Sequence, residues 1–287
     1  MRALREIVLA SRPLSWVNTA FPFAAAYLVL ARSVDARLVV GTLFFLVPYN
    51  LLMYGVNDVF DIDSDEQNPR KGGAEGALLS RSRLRLVLWA SLLLPVPFVL
   101  WLVPQGTGRA ALVLAVSLAA VLAYSLPVLR FKERPGVDSL TSSTHFASPA
   151  VYGLVLADRP VPQDVWFLVA AFFVWGCASH AFGAVQDVRA DRAAGIGSVA
   201  TVLGARPVVV VAIALYVLSA GLVAFGPWPS VFAVPLPLLY AALVARHLGV
   251  TDETAESTNV GWRRFLALNF FTGFVVTQLL IVAWRWG

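Results

Sequence analysis

Apolar runs of membrane-crossing length alternate with short polar segments from one end of the chain to the other. A helix needs roughly 20 predominantly apolar residues to span a bilayer. Nine runs qualify, at about 14–31, 38–57, 84–104, 109–128, 139–157, 164–186, 207–225, 228–245 and 265–285. Pro22, Pro48, Pro95, Pro97 and Pro149 fall inside them. Such kinks persist where neighbouring helices or a polar cavity satisfy the freed backbone groups. The pattern predicts an all-α integral membrane protein: nine transmembrane helices bundled around a central cavity, with residues 1–287 forming one domain. The odd-numbered connections are short, at Ala31–Arg37, Val103–Arg109, Ala157–Asp164 and Gly226–Pro229. Three of the even-numbered ones, Ile62–Arg83, Arg189–Arg206 and Arg246–Arg264, are long and polar. Long loops carry function more often than short ones, so a cap over a cavity is expected on that side.

Composition sharpens this picture. The chain is 59% hydrophobic and 14% charged, where a soluble domain carries about 25% charge. That excludes a soluble protein and places the chain in the cell membrane as a multi-pass protein with lipid around it. The net charge of +5 is informative by segment, and is no footprint of a nucleic-acid partner. If the N-terminus is cytoplasmic, 17 of the 22 Lys and Arg residues lie on inner segments and 5 on outer ones. The positive-inside bias therefore predicts a cytoplasmic N-terminus. Met1–Arg12 leads into an apolar run without a small-residue cleavage site, so the first helix is expected to be retained. Cys177 is alone, which excludes an intramolecular disulfide.

The second span ends in an acidic stretch. Asp58, Asp61, Asp63, Asp65 and Glu66 follow Asn57 within nine residues, where hydropathy says the chain leaves the bilayer. Acids are costly near hydrocarbon and are usually paired, metal-bound or functional there. On a helix, Asn57, Asp61 and Asp65 share one face, with Asp58 beside them. This is a row of hard oxygen ligands suited to Mg²⁺, above all when phosphate is also bound. The sixth span ends the same way, with Asp187 and Asp191 four residues apart. The topology puts both clusters on the cytoplasmic side, in motif loops at about 58–83 and 187–206. Arg70 and Lys71 follow the first cluster, and Arg130 and Lys132 follow the fourth span. Acids and cations together suggest a metal-bound diphosphate, although orientation alone would also place cations here.

The same residues carry a resemblance. Asn57-Asp58-x-x-Asp61-x-x-x-Asp65 and Asp187-x-x-x-Asp191 resemble the two Asp-rich motifs of the UbiA superfamily of intramembrane prenyltransferases. Flanking segments look like its lycopene elongase branch: Ser11-Arg12-Pro13-x-Ser15-Trp16-Val17-Asn18-Thr19, Tyr54 to Asp61, Asn68-Pro69-Arg70-Lys71-Gly72-Gly73, Arg130 to Pro135, Leu140 to Phe146, and Gly183 to Val188. The resemblance implies dimethylallyl diphosphate as donor, lycopene as acceptor and Mg²⁺ as cofactor. One C5 unit would be added at each end, giving nonaflavuxanthin- and flavuxanthin-type products. Association with a carotenoid cyclase is a further expectation.

It also implies roles. Asn57, Asp61, Asp65, Asp187 and Asp191 would bind metal, with Asp58 counted among the catalytic acids; Arg12, Arg70, Lys71, Arg130 and Lys132 would bind diphosphate. Many members of the superfamily carry a Lys four residues after a Tyr at the end of the fourth span. Here Val128 holds that spacing from Tyr124, which shifts the role to Arg130 and Lys132. An allylic cation needs a dry cavity and aromatic faces. Tyr54, Phe60, Tyr124, Phe146, Trp175 and Phe182 are candidates, with Asn18 and His145 in the same pocket, against the alternative of ordinary packing. His145 and His180 lie within apolar spans and read as interhelical hydrogen-bonders more readily than as proton acceptors. The acids alone leave other classes open: a cation or metabolite transporter, or the same fold acting on an aromatic or quinone precursor, chlorophyllide, haem or a glycerol-phosphate ether.

Overall fold

The computed structural model describes residues 2–65 and 79–286, and among them there is no strand. In hydrocarbon every backbone N–H and C=O must be paired within the segment, which helices achieve. Among the described residues, seven helices are long and apolar enough to cross a membrane: Ala3–Ala31, Ala36–Phe60, Arg81–Gln105, Gly108–Ser125, Gln163–Val185, Ala205–Ala224 and Asp252–Arg285. The eighth expected span is a shorter apolar helix, Ser230–Ala245. The fifth is a continuous 20-residue helix, Val137–Leu156, which falls outside those seven because Thr141 to Thr144, His145 and Ser148 make it polar. The chain is an all-helical, multi-pass membrane protein. It divides into two compact units, one of Met1–Arg130 and Ser148–Arg159, the other of Phe131–Ala147 and Pro160–Gly287.

The first unit begins with α1 (Arg2–Ala10) and α2 (Trp16–Ala31), and the rod Ala36–Phe60 follows. That rod is built from α3 (Ala36–Leu46), α4 (Pro48–Asn50), a π-helical turn (Leu51–Gly55) and α5 (Val56–Phe60). Asp35 starts α3, its carboxylate accepting from the Leu38 amide at 3.0 Å. Pro48 cannot donate to the preceding turn, and the kink is stitched by a side chain. The Asn50 amide donates to the carbonyls of Phe45 (2.8 Å) and Leu46 (3.1 Å) and to Thr19 Oγ1 (2.7 Å). Then come α6 (Ile62–Asp65), α7 (Leu84–Leu93), α8 (Pro95–Leu102) and α9 (Gly108–Ser125). Phe23, Tyr27, Phe44, Phe45, Tyr49 and Tyr152 are buried together, with Phe44 and Phe45 in edge contact at 4.8 Å. A side chain at Gly153 would lie 2.5 Å from the Phe23 carbonyl oxygen, so only glycine lets α10 (Val137–Leu156) approach α2 this closely.

The second unit takes residues of α10 as far as Ala147 and continues with α11 (Gln163–Val185), α12 (Val188–Ala193) and α13 (Val199–Leu203). It ends with α14 (Ala205–Ala224), α15 (Pro235–Ala245) and α16 (Asn259–Trp286). Small residues on α11 (Ala171, Ala178, Ala181) and α14 (Ala205, Ala212, Ala220) let these helices pack closely, as membrane helices require. Tyr216, Tyr240, Phe265 and Trp175 form the aromatic centre of this unit.

Candidate active site

The first acidic motif lies at the end of the Ala36–Phe60 rod. The π turn Leu51–Gly55 sits just ahead of it; π turns inside α-helices are frequent at functional sites. Helix α5 stops at Phe60, and Asp61 has φ −106° and ψ 4°, outside the helical range. The chain then restarts as α6. The expected row Asn57, Asp61, Asp65 is thus not carried by one unbroken helix, because the backbone turns at its middle residue. Asn57 and Asp61 still stand one turn apart, held by the Asp61 amide donating to the Asn57 carbonyl at 3.0 Å.

Each of these side chains has a different neighbour. Asn57 Oδ1 accepts from Ser125 Oγ at 3.1 Å. Asp58 is wholly buried and accepts from Arg12 Nη2 at 2.9 Å. The Arg12 guanidinium also lies 4.2 Å from the centre of the Tyr54 ring, a cation–π contact. Asp61 is 13% exposed and meets Arg130 Nη2 at a loose 3.5 Å. Arg12 (φ 50°) and Arg130 (φ 38°) are both left-handed, at roughly 1–2 kcal/mol for a residue with a Cβ. Two of the four described non-glycine residues with positive φ are therefore arginines facing this motif. Asp63 is exposed and bonded to Arg81 at 2.6 Å. The backbone of Asp65 closes α6; Arg70 and Lys71 lie outside the described residues. Tyr124 is half-buried beside Ser125, and Asn18 is half-buried in α2.

The second motif repeats this geometry in the other unit. Helix α11 ends at Val185, and Asp187 (φ −99°) stands just before α12. The Asp191 amide donates to the Asp187 carbonyl at 2.8 Å, so this pair also spans one turn. The flanks are braced. Asn259 Nδ2 donates to Gln186 Oε1 at 2.7 Å, and Gln186 Nε2 to the Gly183 carbonyl at 3.0 Å. Arg192 donates to the Thr201 carbonyl (3.0 and 2.8 Å) and to Asp252 (2.5 Å), which also accepts from the Ala205 amide at 2.7 Å. Helix α12 is thereby fastened to the starts of α14 and the 252–258 turn.

The remaining predicted residues of this unit have varied settings. Lys132 is half-buried in the short turn Phe131–Glu133. His145 is buried and Phe146 half-buried in α10. Trp175 sits in the aromatic centre, stacked on Phe172 (5.7 Å) and Phe265 (5.7 Å). Phe182 is buried beside His247. His180 Nδ1 meets Ser139 Oγ at 3.1 Å, the interhelical bond expected of it. Sequence reading did not single out Asn259, Asp252 or Arg81, whose partners are far away along the chain. Ser125 had a signal, since it follows Tyr124 in a Tyr-Ser-x-Pro run.

Among the described residues no three carboxylate, imidazole or thiol groups form a ready metal cage. Mg²⁺ does not need one, because it is usually held by one or two carboxylates, water and substrate phosphate. Asn57 with Asp61, and Asp187 with Asp191, each offer hard oxygen donors on successive turns, which fits that demand.

Residues 19–275 match the UbiA prenyltransferase family. The chain is 49% identical over 281 residues to a lycopene elongase/hydratase of Corynebacterium glutamicum, covering 98% of each. It is 54% identical over 279 residues to a C50 β-cyclic carotenoid biosynthesis protein of Dietzia sp. (strain CQ4), covering 97% of this chain and 65% of that protein. A solved UbiA homologue from Archaeoglobus fulgidus, bound to DMAPP and Mg²⁺, shares the fold with a TM-score of 0.69 at 18% identity, over 94% of this chain and 99% of that one. The chain belongs to the UbiA prenyltransferase family.

Proposed function

We propose that this protein transfers a dimethylallyl group from dimethylallyl diphosphate to the ends of lycopene, giving C45 and then C50 carotenoids. The observation that carries the proposal is a pair of two-donor turns, Asn57/Asp61 and Asp187/Asp191, in a chain 49% identical to a lycopene elongase/hydratase. Asn57, Asp61, Asp65, Asp187 and Asp191 hold Mg²⁺ in this reading. The ion, when bound, supplies Lewis-acid neutralisation of the departing diphosphate.

The chain's own residues do the rest. Arg12, Arg70, Lys71, Arg130 and Lys132 take up the remaining phosphate charge, since guanidinium and ammonium groups are its natural donors. Arg130 meets Asp61 at a loose 3.5 Å, a contact that a phosphate oxygen can replace. Asp58 acts through Arg12: it fixes the guanidinium from below and has no exposed surface with which to reach a ligand. The rings of Tyr54, Tyr124 and Phe146 offer negative faces to an allylic cation. The terminal double bond of the acceptor attacks that cation, and the resulting tertiary cation loses a proton or takes up water. An acceptor without a polar handle suits spans that hold few charges away from the motifs. The elongated ends would then be substrates for a carotenoid cyclase, with which the protein associates in this reading.

Membranes containing the protein, supplied with Mg²⁺, lycopene and dimethylallyl diphosphate, are expected to form C45 and C50 pigments separable by chromatography. Active membranes that prenylate only 4-hydroxybenzoate would remove lycopene as the acceptor.

A further inference from the structure

A groove between α15 and α16 takes no part in the proposed reaction. Leu239, Ala242, Leu243 and Arg246 recur at three- and four-residue spacing, so they share one face of α15 and its C-cap. Arg264 and Leu268, one turn apart on α16, form the opposite wall of a volume of about 270 Å³. The two helices run antiparallel: Gly261 lies against His247, whereas Tyr240 bonds Asn269 and Thr272. Arg246 and Arg264 therefore both stand at the end where α15 gives way to α16, and Leu239 and Leu268 at the other. The groove is charged at one end and apolar along its length.

Both guanidiniums are exposed, and neither makes an ion pair among the described residues. The nearby acids Asp252 and Glu256 are engaged by Arg192 and Arg189. His247, packed against Gly261 of α16, has its pKa lowered first by burial and then by the positive charge of Arg264. Orientation rules account for arginines at a helix end. They do not account for two unpaired arginines at the mouth of an apolar groove, which is the complement of a lipid with a negative head. Basic pockets between transmembrane helices bind such headgroups.

We propose that this groove binds an anionic phospholipid, with the phosphate between Arg246 and Arg264 and an acyl chain along Leu239, Ala242, Leu243 and Leu268. A choline headgroup would add a third positive charge here and is disfavoured. Native mass spectrometry of the full-length protein in detergent, with equal amounts of phosphatidylglycerol and phosphatidylcholine, tests the site. The protein should retain phosphatidylglycerol preferentially. Arg246→Gln with Arg264→Gln should cut that retention by roughly tenfold, the loss of a charge-assisted phosphate clamp. Ala242→Trp should also cut it, by filling the apolar end while leaving both charges. Millimolar inorganic phosphate should leave the lipid in place. Equal retention of the two lipids, full retention by the double-glutamine variant or by Ala242→Trp, or displacement by phosphate would each overturn the proposal.

Discussion

Asp58 and Asp61 are one helical turn apart and differ in what surrounds them. Asp58 has no exposed surface and rests on Arg12; Asp61 keeps 13% exposure and a long contact to Arg130. Removing one partner of a fully buried ion pair costs about 3–5 kcal/mol, because a charge is left in low dielectric. Arg12 retains 20% exposure, so the cost here lies near the lower end. Asp58→Ala should therefore lower the thermal unfolding midpoint of the purified protein markedly. Asp61→Ala and Asp187→Ala should leave that midpoint nearly unchanged and abolish prenyl transfer in the assay described above. Full turnover in either of the latter would remove the metal-binding role, and an unaltered midpoint in Asp58→Ala would remove the structural one. The acids themselves were legible in the sequence, as were their four-residue spacings. Their partners were not: Arg12 is 46 residues from Asp58, and Ser125 is 68 from Asn57. No local pattern encodes a contact at such separation. Arg12 read as a phosphate ligand through the family resemblance of its segment, and only its buried partner reveals the second task.

Helix starts and close approaches set the next scale. Asp35 caps α3, and its carboxylate also accepts from Tyr27 (2.7 Å) and Arg37 (3.1 Å). Burial raises its pKa, but the Tyr27, Leu38 and Arg37 hydrogen bonds outweigh that and hold it below the ordinary 3.8. The folded state thus favours the ionised form. Its stabilising contribution is complete above that value and is lost as pH falls below it, an effect of about 1 kcal/mol for a typical N-cap. Unfolding midpoints measured down an acid series should fall faster for the parent than for Asp35→Asn; parallel curves would refute this. Glycine is placed as deliberately. Gly153→Ala drives a methyl group into the backbone of α2, at about 1–3 kcal/mol. Gly221→Ala, in the middle of α14 with nothing within 4 Å, should instead gain up to about 1 kcal/mol in helix propensity. Thermal unfolding of the two variants should move in opposite directions. Apolar length was enough to find most helices. It could not show the break at Asp61, because a terminal Asp suits a helix end and a turn equally, nor that the hydroxyl row of α10 serves buried contacts such as Ser143 to the Phe173 carbonyl.

For the molecule as a whole, hydropathy and charge carried the class and the membrane setting, and the acidic motifs with their flanking segments carried the family resemblance. The division into two units was invisible to them. It runs through the interior of α10, between Ala147 and Ser148, one residue ahead of the helix-internal Pro149. Neither unit is a continuous piece of chain, and this bears on biosynthesis. A ribosome delivers residues in order, and N-terminal parts generally settle first. The first unit cannot close until Ser148–Arg159 have emerged, and by then the second unit's Phe131–Ala147 is already made. The buried Asp138 in that segment must wait for the Val199 amide, 61 residues later, which donates to it at 2.8 Å. Any severing of the chain after Arg159 would leave the second unit's opening residues on the wrong fragment. A chain severed there could complete the second unit only by bringing its two fragments back together.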